Sequence, residues 1–299
     1  MKRILIVGSG DVARRAIPWL VKRFRVYALT RSKDSLPDLR ATGVIPVLGD
    51  LDDRKSIGRL AGIADMVLHF APPRSNGVVD IRTANLLATF ATAQSLPQRL
   101  VYISTTGVYG DCGGALVRET HPCNPLTGRA RRRVDAETRL RRFGQRNRVR
   151  VSILRAPGIY AADRLPVPRL LRGDPVLVEG EDVHTNHIHA EDLARLACIA
   201  LFRARPGRVY NAVDQTDLKM GDYFDLAADL FGLPRPPRLD REALSRQVSP
   251  MALSFMSESR RLSGERLQEL RLRLCYPNVR DGLSAALTQS AINNKEGIA

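Results

Sequence analysis

Lysine is scarce in this sequence: of 47 basic residues, 41 are arginine and only six are lysine. A surface shaped for phosphate contact ordinarily uses both, because an ammonium serves well as a point charge. So lopsided a ratio points to a coding preference spread along the chain. Cysteine is rarer still. Cys112, Cys123, Cys198 and Cys275 form no CxxC pair, and no His/Cys cluster has zinc-ligand spacing, which argues against a disulfide scaffold and a metal site. They read as reduced, structural thiols, and Cys112, though in a glycine-rich loop, has no activating base beside it in sequence. Long apolar runs are missing too, since no window approaches the roughly 18 residues of a membrane span. The basic start, Lys2-Arg3, leads into only four apolar residues before Gly8, a strand rather than a leader. The expectation is a cytoplasmic chain with no membrane segment.

The rest of the composition is that of a folded protein, 44% hydrophobic and 26% charged over 299 residues, long enough for one large domain or two unequal ones. The net charge is +16. Half of that excess lies between residues 129 and 150, where ten arginines face Asp135 and Glu137. Such a run can bind nucleic acid or an acidic partner. Only Phe143 interrupts it with an aromatic ring, so no base-stacking platform is offered and the reading is a solvated helix face followed by a strand.

Residues 3–7, 25–30, 44–48, 65–70, 99–104 and 149–155 read as buried strands, with helices between them at 11–23, 53–61, 79–95 and 129–147. Alternation of this kind, with strands apolar on both faces, predicts an α/β fold: a doubly wound parallel sheet of the Rossmann type. Residues 1–165 form the expected dinucleotide-binding domain, completed by about 186–213 through a helix at 190–203 and a strand at 207–211. Residues 166–299 read as a smaller, mostly helical C-terminal lobe with the substrate side, fraying from Ile292.

Gly8-Ser9-Gly10-Asp11-Val12-Ala13 is a GxGxxA between a predicted strand and a predicted helix. The first glycine permits the tight turn, the second lets backbone approach a pyrophosphate, and the small Ala13 lets helix pack on strand. An NAD site places an acid about 20 residues further on, to hold the ribose. Here that place reads Thr30-Arg31-Ser32-Lys33, so Arg31 and Ser32 point to a 2′-phosphate and to NADP(H) over NAD(H).

The segment Val101-Tyr-Ile-Ser-Thr-Thr-Gly-Val-Tyr-Gly-Asp111 resembles the extended short-chain dehydrogenase/reductases, the NAD-dependent epimerase/dehydratase branch. Four more stretches match in order: Gly49-Asp50-Leu51, Glu119-Thr120-x-Pro122-x-x-Pro125, Leu154-Arg155-Ala-Pro157-Gly158-Ile159-Tyr160, and Asn186-His187-Ile188-His189-x-x-Asp192-Leu193-Ala194. The resemblance covers residues 1–213. It implies that Asp50 and Leu51 contact the adenine, that Ala71, Pro72 and Pro157 line the cofactor, and that Thr105 is the catalytic hydroxyl. It also implies that His187 and His189 hold a strand-to-helix corner.

One departure bears on the chemistry. The family's Tyr-x-x-x-Lys pair falls, counting back from Ala136-Glu137, on Arg129 and Arg133, and none of the seven tyrosines has lysine four residues later. Arg133 can still touch a nicotinamide ribose as a fixed charge. Arg129 cannot shuttle a proton, because guanidinium stays charged. A positioned acid or base contributes about 10² to 10⁴ in rate, so a substitute is sought among Tyr109, Asp111, Glu119, Tyr160 and His187. The reading is an atypical NAD(P)-dependent oxidoreductase of the epimerase/dehydratase type acting on a carbonyl or sugar-type small molecule. The alternatives are a catalytically silent NADP(H)-binding regulator and a basic interaction protein on a Rossmann scaffold. Because the helix that usually pairs across the family's two-fold axis carries the arginines, a monomer or a dimer through another surface is expected.

Overall fold

The computed structural model describes residues 1–296. Seven strands form one sheet: β1 (Arg3–Val7), β2 (Arg25–Thr30), β3 (Ile45–Leu48), β4 (Met66–His69), β5 (Arg99–Thr105), β6 (Arg150–Ala156) and β7 (Val209–Asn211). Their order is β3-β2-β1-β4-β5-β6-β7 and every pairing is parallel. The order reverses between β1 and β4, the crevice where such sheets bind ligands.

Both faces of the sheet are covered, which is why the strands are apolar throughout. Ile4 and Ile6 point into the core beneath α1 (Asp11–Val21) and α6 (Ala190–Arg203). Leu5 and Val7 point the other way, against α3 (Ile81–Phe90) and α4 (Gly128–Asn147). Cutting one such leucine to alanine costs about 2–5 kcal/mol. The helices start where their caps are. Asp80 accepts from the Thr83 amide at 3.2 Å to begin α3, and Thr127 accepts from the Ala130 amide at 3.2 Å to begin α4. α4 ends at Arg148, whose left-handed φ of 55° turns the chain into β6.

The helix expected at 53–61 is absent, with only a 3-10 turn at Gly58–Leu60. The Ser56 hydroxyl donates to the carbonyls of Asp50 (3.0 Å) and Asp53 (2.7 Å), and Asp53 accepts from the Lys55 amide at 3.0 Å. Local side-chain bonds of this kind compete with the helical ladder. An unforeseen short helix, α2 (Ser35–Ala41), joins β2 to β3.

Beyond β6, residues 158–160 and 187–189 pair in parallel beside the sheet. A second core gathers Tyr160, Leu170 of α5 (Val167–Leu171), Tyr223 and Phe224 of α7 (Met220–Phe231), and Leu283. Two short helices, α8 (Arg241–Ser245) and α9 (Pro250–Phe255), precede the long α10 (Val279–Glu296). The tail from Ile292, expected to fray, is helical as far as Glu296, and its last residues, 297–299, lie outside the described residues. Among the described residues no helix is long and apolar enough to cross a membrane.

Candidate functional site

The two glycines after β1 do different work. Gly8 has φ +90°, and a Cβ there would lie 2.7 Å from the Ala71 amide nitrogen, so the close approach of β1 to the end of β4 requires it. Gly10 is extended (φ −74°, ψ −172°) and a Cβ built on it meets nothing within 4 Å. The space it leaves opens on a trough instead of on the protein. No side chain caps α1 at Gly10, so the first-turn amides and the positive end of the helix dipole are left for an anion. Ala13 is buried against the sheet.

The trough runs over the β1/β4 switch point in two halves that share Gly8, Gly10, Ala71 and Pro72. The first half, about 390 Å³, is also lined by Ser9, Arg31, Ser32, Asp50 and Leu51. Arg31 is exposed and makes no ion pair among the described residues. Sequence reasoning missed Arg82 on the same wall. It donates to Asp52 at 2.7 and 2.9 Å and to the Pro72 carbonyl at 3.0 Å, tying α3 to the trough. With Arg74 adding a 2.6 Å bond, these guanidinium groups pull the Asp52 carboxyl down to about 2.

The second half, about 290 Å³, adds Asp11, Val12, Ala13, Thr105, Arg133 and Pro157. The Thr105 hydroxyl accepts from the Gly107 amide at 3.3 Å, which fixes its oxygen and leaves its hydrogen free to donate into the trough. Arg133 reaches the trough from the first turns of α4, held by bonds to the Tyr102 hydroxyl (2.9 Å) and the Ile103 carbonyl (2.7 Å). Arg129 does not line it; partial burial lowers its guanidinium from the ordinary value, beside Glu258, Arg133 and Arg132.

Ile159 and Arg164 line both the second half and a neighbouring cavity of about 630 Å³, walled by Tyr160, His187, Tyr223 and Phe224. The Tyr160 hydroxyl donates to the Asn278 carbonyl at 3.3 Å, and burial pushes it up, so it stays protonated. Burial pushes His187 down to about 4, a neutral ring at ordinary pH, and its Nδ1 has no partner among the described residues. His189 is structural: its Nδ1 accepts from the Glu191 amide at 3.2 Å and caps α6.

Tyr109 is a correction. It was expected near the chemistry, but its side chain is fully buried, donates to Asn211 Oδ1 at 2.7 Å, lies under the Arg155 guanidinium, and lines neither trough nor cavity. Asp111 and Glu119 are likewise occupied structurally. Asp111 accepts from the Ser259 amide at 2.8 Å, and Glu119 from the Asn211 amide at 3.1 Å. A larger cavity, about 710 Å³ beside Asp214, Thr216 and Arg261, contains none of the expected site residues. Among the described residues no group of three or more His, Cys, Asp or Glu could hold a metal ion.

The arginine run of α4 is partly turned inward. Arg132 is buried and donates to the Gly77 carbonyl, Arg133 enters the trough, and Arg139 and Arg141 pair with Asp135 and Glu137.

Known proteins resemble this chain in sequence and in fold. A ketoreductase of a farnesylated quinoline oxide from Stigmatella aurantiaca is 26% identical over 78% of this chain and 74% of its own length. The structure of a functionally unknown conserved protein from Silicibacter pomeroyi is 31% identical, covers 97% of this chain and 99% of that one, and superposes with a TM-score of 0.78. UDP-glucose 4-epimerase from Thermotoga maritima, 16% identical over 97% of this chain and 99% of that one, has the same fold at a TM-score of 0.78. Residues 8–203 match the family described as NAD(P)H-binding. With its trough at the switch point of a Rossmann sheet, the chain belongs to that NAD(P)H-binding family, on the fold of the epimerase/dehydratase branch of the short-chain dehydrogenase/reductases.

Proposed function

We propose that this chain is an NADP(H)-preferring oxidoreductase or epimerase-type enzyme acting on a small carbonyl or sugar-type molecule. One observation carries the reading: the two halves of the trough share Gly8, Gly10, Ala71 and Pro72, and the second half shares Ile159 and Arg164 with the 630 Å³ cavity. A dinucleotide laid along the trough ends beside a chamber of small-molecule size. Ser9, Asp11, Val12, Ala13, Ser32, Asp50, Leu51 and Pro157 complete its walls.

A nicotinamide, when bound, supplies or accepts hydride. This chain's part is to hold and polarise the substrate. Thr105 donates to the reacting oxygen, Arg133 provides fixed positive charge, and Tyr160 and His187 are the remaining candidates for proton transfer. The ketoreductase relative is named for work on a carbonyl, which supports the reaction class. Arg31, exposed at the end of β2 and in no ion pair among the described residues, supports the choice of NADP(H). Residues 1–165 with about 186–213 would hold the cofactor, and the lobe from 166 to 299 the substrate. The partner is a small molecule, with no membrane or nucleic acid, in a monomer or a dimer that avoids the arginine face of α4. A second reading, a cofactor-binding regulator, is favoured by Arg129 in place of the general acid.

The test is calorimetric titration of nucleotide-free protein with NADPH and NADH, then a carbonyl substrate screen followed by nicotinamide absorbance. Tighter NADPH binding that Arg31→Asp reverses, with turnover lost in Thr105→Ala, is the expected result. Equal affinities overturn the cofactor preference. Tight binding without turnover across the panel moves the assignment to the regulator.

A further inference from the structure

The cavity beside the trough has an unbalanced charge. α5 and the turn after it bring Arg169 and Arg172 to its wall with one carboxylate between them, Asp174. Asp174 is committed to Arg172, at 2.7 and 3.2 Å, and reaches Arg169 only at 3.5 Å. The Arg169 guanidinium lies 4.5 Å from the centre of the Phe224 ring, and burial lowers it from its ordinary value. The third arginine of the wall, Arg164, is already neutralised: it pairs with Asp11, which with Asp163 also serves Arg15. The two arginines therefore share one carboxylate, which leaves one positive charge uncompensated, in a chamber whose wall sets the rings and thioethers of Tyr223, Phe224, Met220 and Met256 beside the polar Thr185, Gln247 and Ser249. The imidazole there is uncharged at neutral pH.

We infer that the substrate of this site carries a single carboxylate, received by the Arg169 guanidinium beside the Arg172–Asp174 pair, on an apolar or ring-bearing body that packs against Tyr223 and Phe224. A guanidinium fork matches a carboxylate in geometry, and a desolvated cation gains most from a partner that brings one full negative charge. A phosphomonoester, with nearly two charges at neutral pH, would overcompensate. This assignment rests on the reading of the cavity as the substrate chamber, and it narrows the carbonyl class to keto or hydroxy acids.

The experiment titrates the full chain with benzoate, benzamide and phenyl phosphate at constant ionic strength, in the wild type and in Arg169→Met, Arg172→Gln and Arg139→Gln. Benzoate is expected to bind about tenfold more tightly than neutral benzamide, the scale of a charged hydrogen-bonded pair. The preference should fall below about threefold in Arg169→Met, and in Arg172→Gln, which frees Asp174 to neutralise Arg169, and persist in Arg139→Gln, which lies on α4. Should Arg169→Met fail to fold, the more exposed Arg172→Gln still decides. No measurable difference between benzoate and benzamide, a preference retained in Arg172→Gln, or tighter phenyl phosphate overturns the proposal. NADPH is titrated into the same samples. Benzoate preference without NADPH binding sinks the dinucleotide reading and leaves the carboxylate site standing. NADPH binding without benzoate preference does the reverse.

Discussion

Arg133 on α4 is held by Tyr102 on β5: its Nη1 donates to the Tyr102 hydroxyl at 2.9 Å, and its guanidinium carbon lies 5.5 Å from that ring's centre. Tyr102 is itself fully buried, its hydroxyl pushed by burial up to about 12, so it stays neutral. Its other side packs on His69, with ring centres 5.0 Å apart. The Thr83 hydroxyl donates to Asp80 at 2.6 Å, so its oxygen must accept from His69 Nε2 at 3.1 Å. Burial of that ring holds its pKa near 3. Arg133 thus enters the trough from a rigid, neutral support. Arg133→Met is expected to weaken NADPH binding about tenfold, roughly 1.4 kcal/mol. Tyr102→Phe, which keeps the Ile103 carbonyl contact, should weaken it by a smaller factor. Calorimetric titration measures both, and an unchanged affinity in Arg133→Met would remove Arg133 from the site.

Glu137 and Arg155 form an ion pair inside the molecule, 3% and 2% exposed, at 2.7 Å and 3.0 Å. Burial alone would raise the Glu137 carboxyl, but Arg155 and the Ser104 hydroxyl reverse this and leave it below its ordinary value. Removing one partner strands a buried charge. Glu137→Ala is expected to cost about 3–5 kcal/mol in equilibrium denaturation. A loss under about 1 kcal/mol, the worth of an exposed pair, would contradict this.

Asp214 provides a pH test. It is buried, one carboxylate oxygen has no partner among the described residues, and burial pushes it up to about 7. Its folded value lies above the unfolded value of about 3.9. Between these values the folded state holds the extra proton, so this group's contribution favours folding at low pH and is lost as pH rises toward 7. The difference in unfolding free energy between Asp214→Asn and wild type should therefore grow by up to about 1.4 kcal/mol per pH unit across that window, in favour of the variant. A difference that does not change with pH would show that Asp214 ionises normally.

The strands and the trough were legible because they depend on local pattern. Runs such as Ile4–Val7 are buried on both sides, and the GxGxxA spacing reflects backbone contact at Gly8 and open space at Gly10. The resemblance carried the reading to Thr105 and Pro157, both of which line the trough. What escaped depends on contacts between distant segments. Nothing near residue 109 announces that Asn211, 102 residues away, takes the Tyr109 hydroxyl into the core. Nor does any motif announce that α5 and α7 face each other, so Arg169 and Tyr223 on the cavity wall were invisible. The absent helix at 53–61 turned on the Ser56 hydroxyl, which periodicity does not weigh.

The most direct measurement is dinucleotide titration of wild type against Gly10→Asp. The new Cβ meets no protein atom, and aspartate is a favourable N-cap, so thermal stability should hold or rise slightly. Its carboxylate would occupy and repel the place where the account seats the pyrophosphate. Wild-type binding of NADPH, reduced at least about a hundredfold in a variant of unchanged melting temperature, is the expected result. Equal binding by the two proteins, or none by the wild type, would contradict a dinucleotide in this trough.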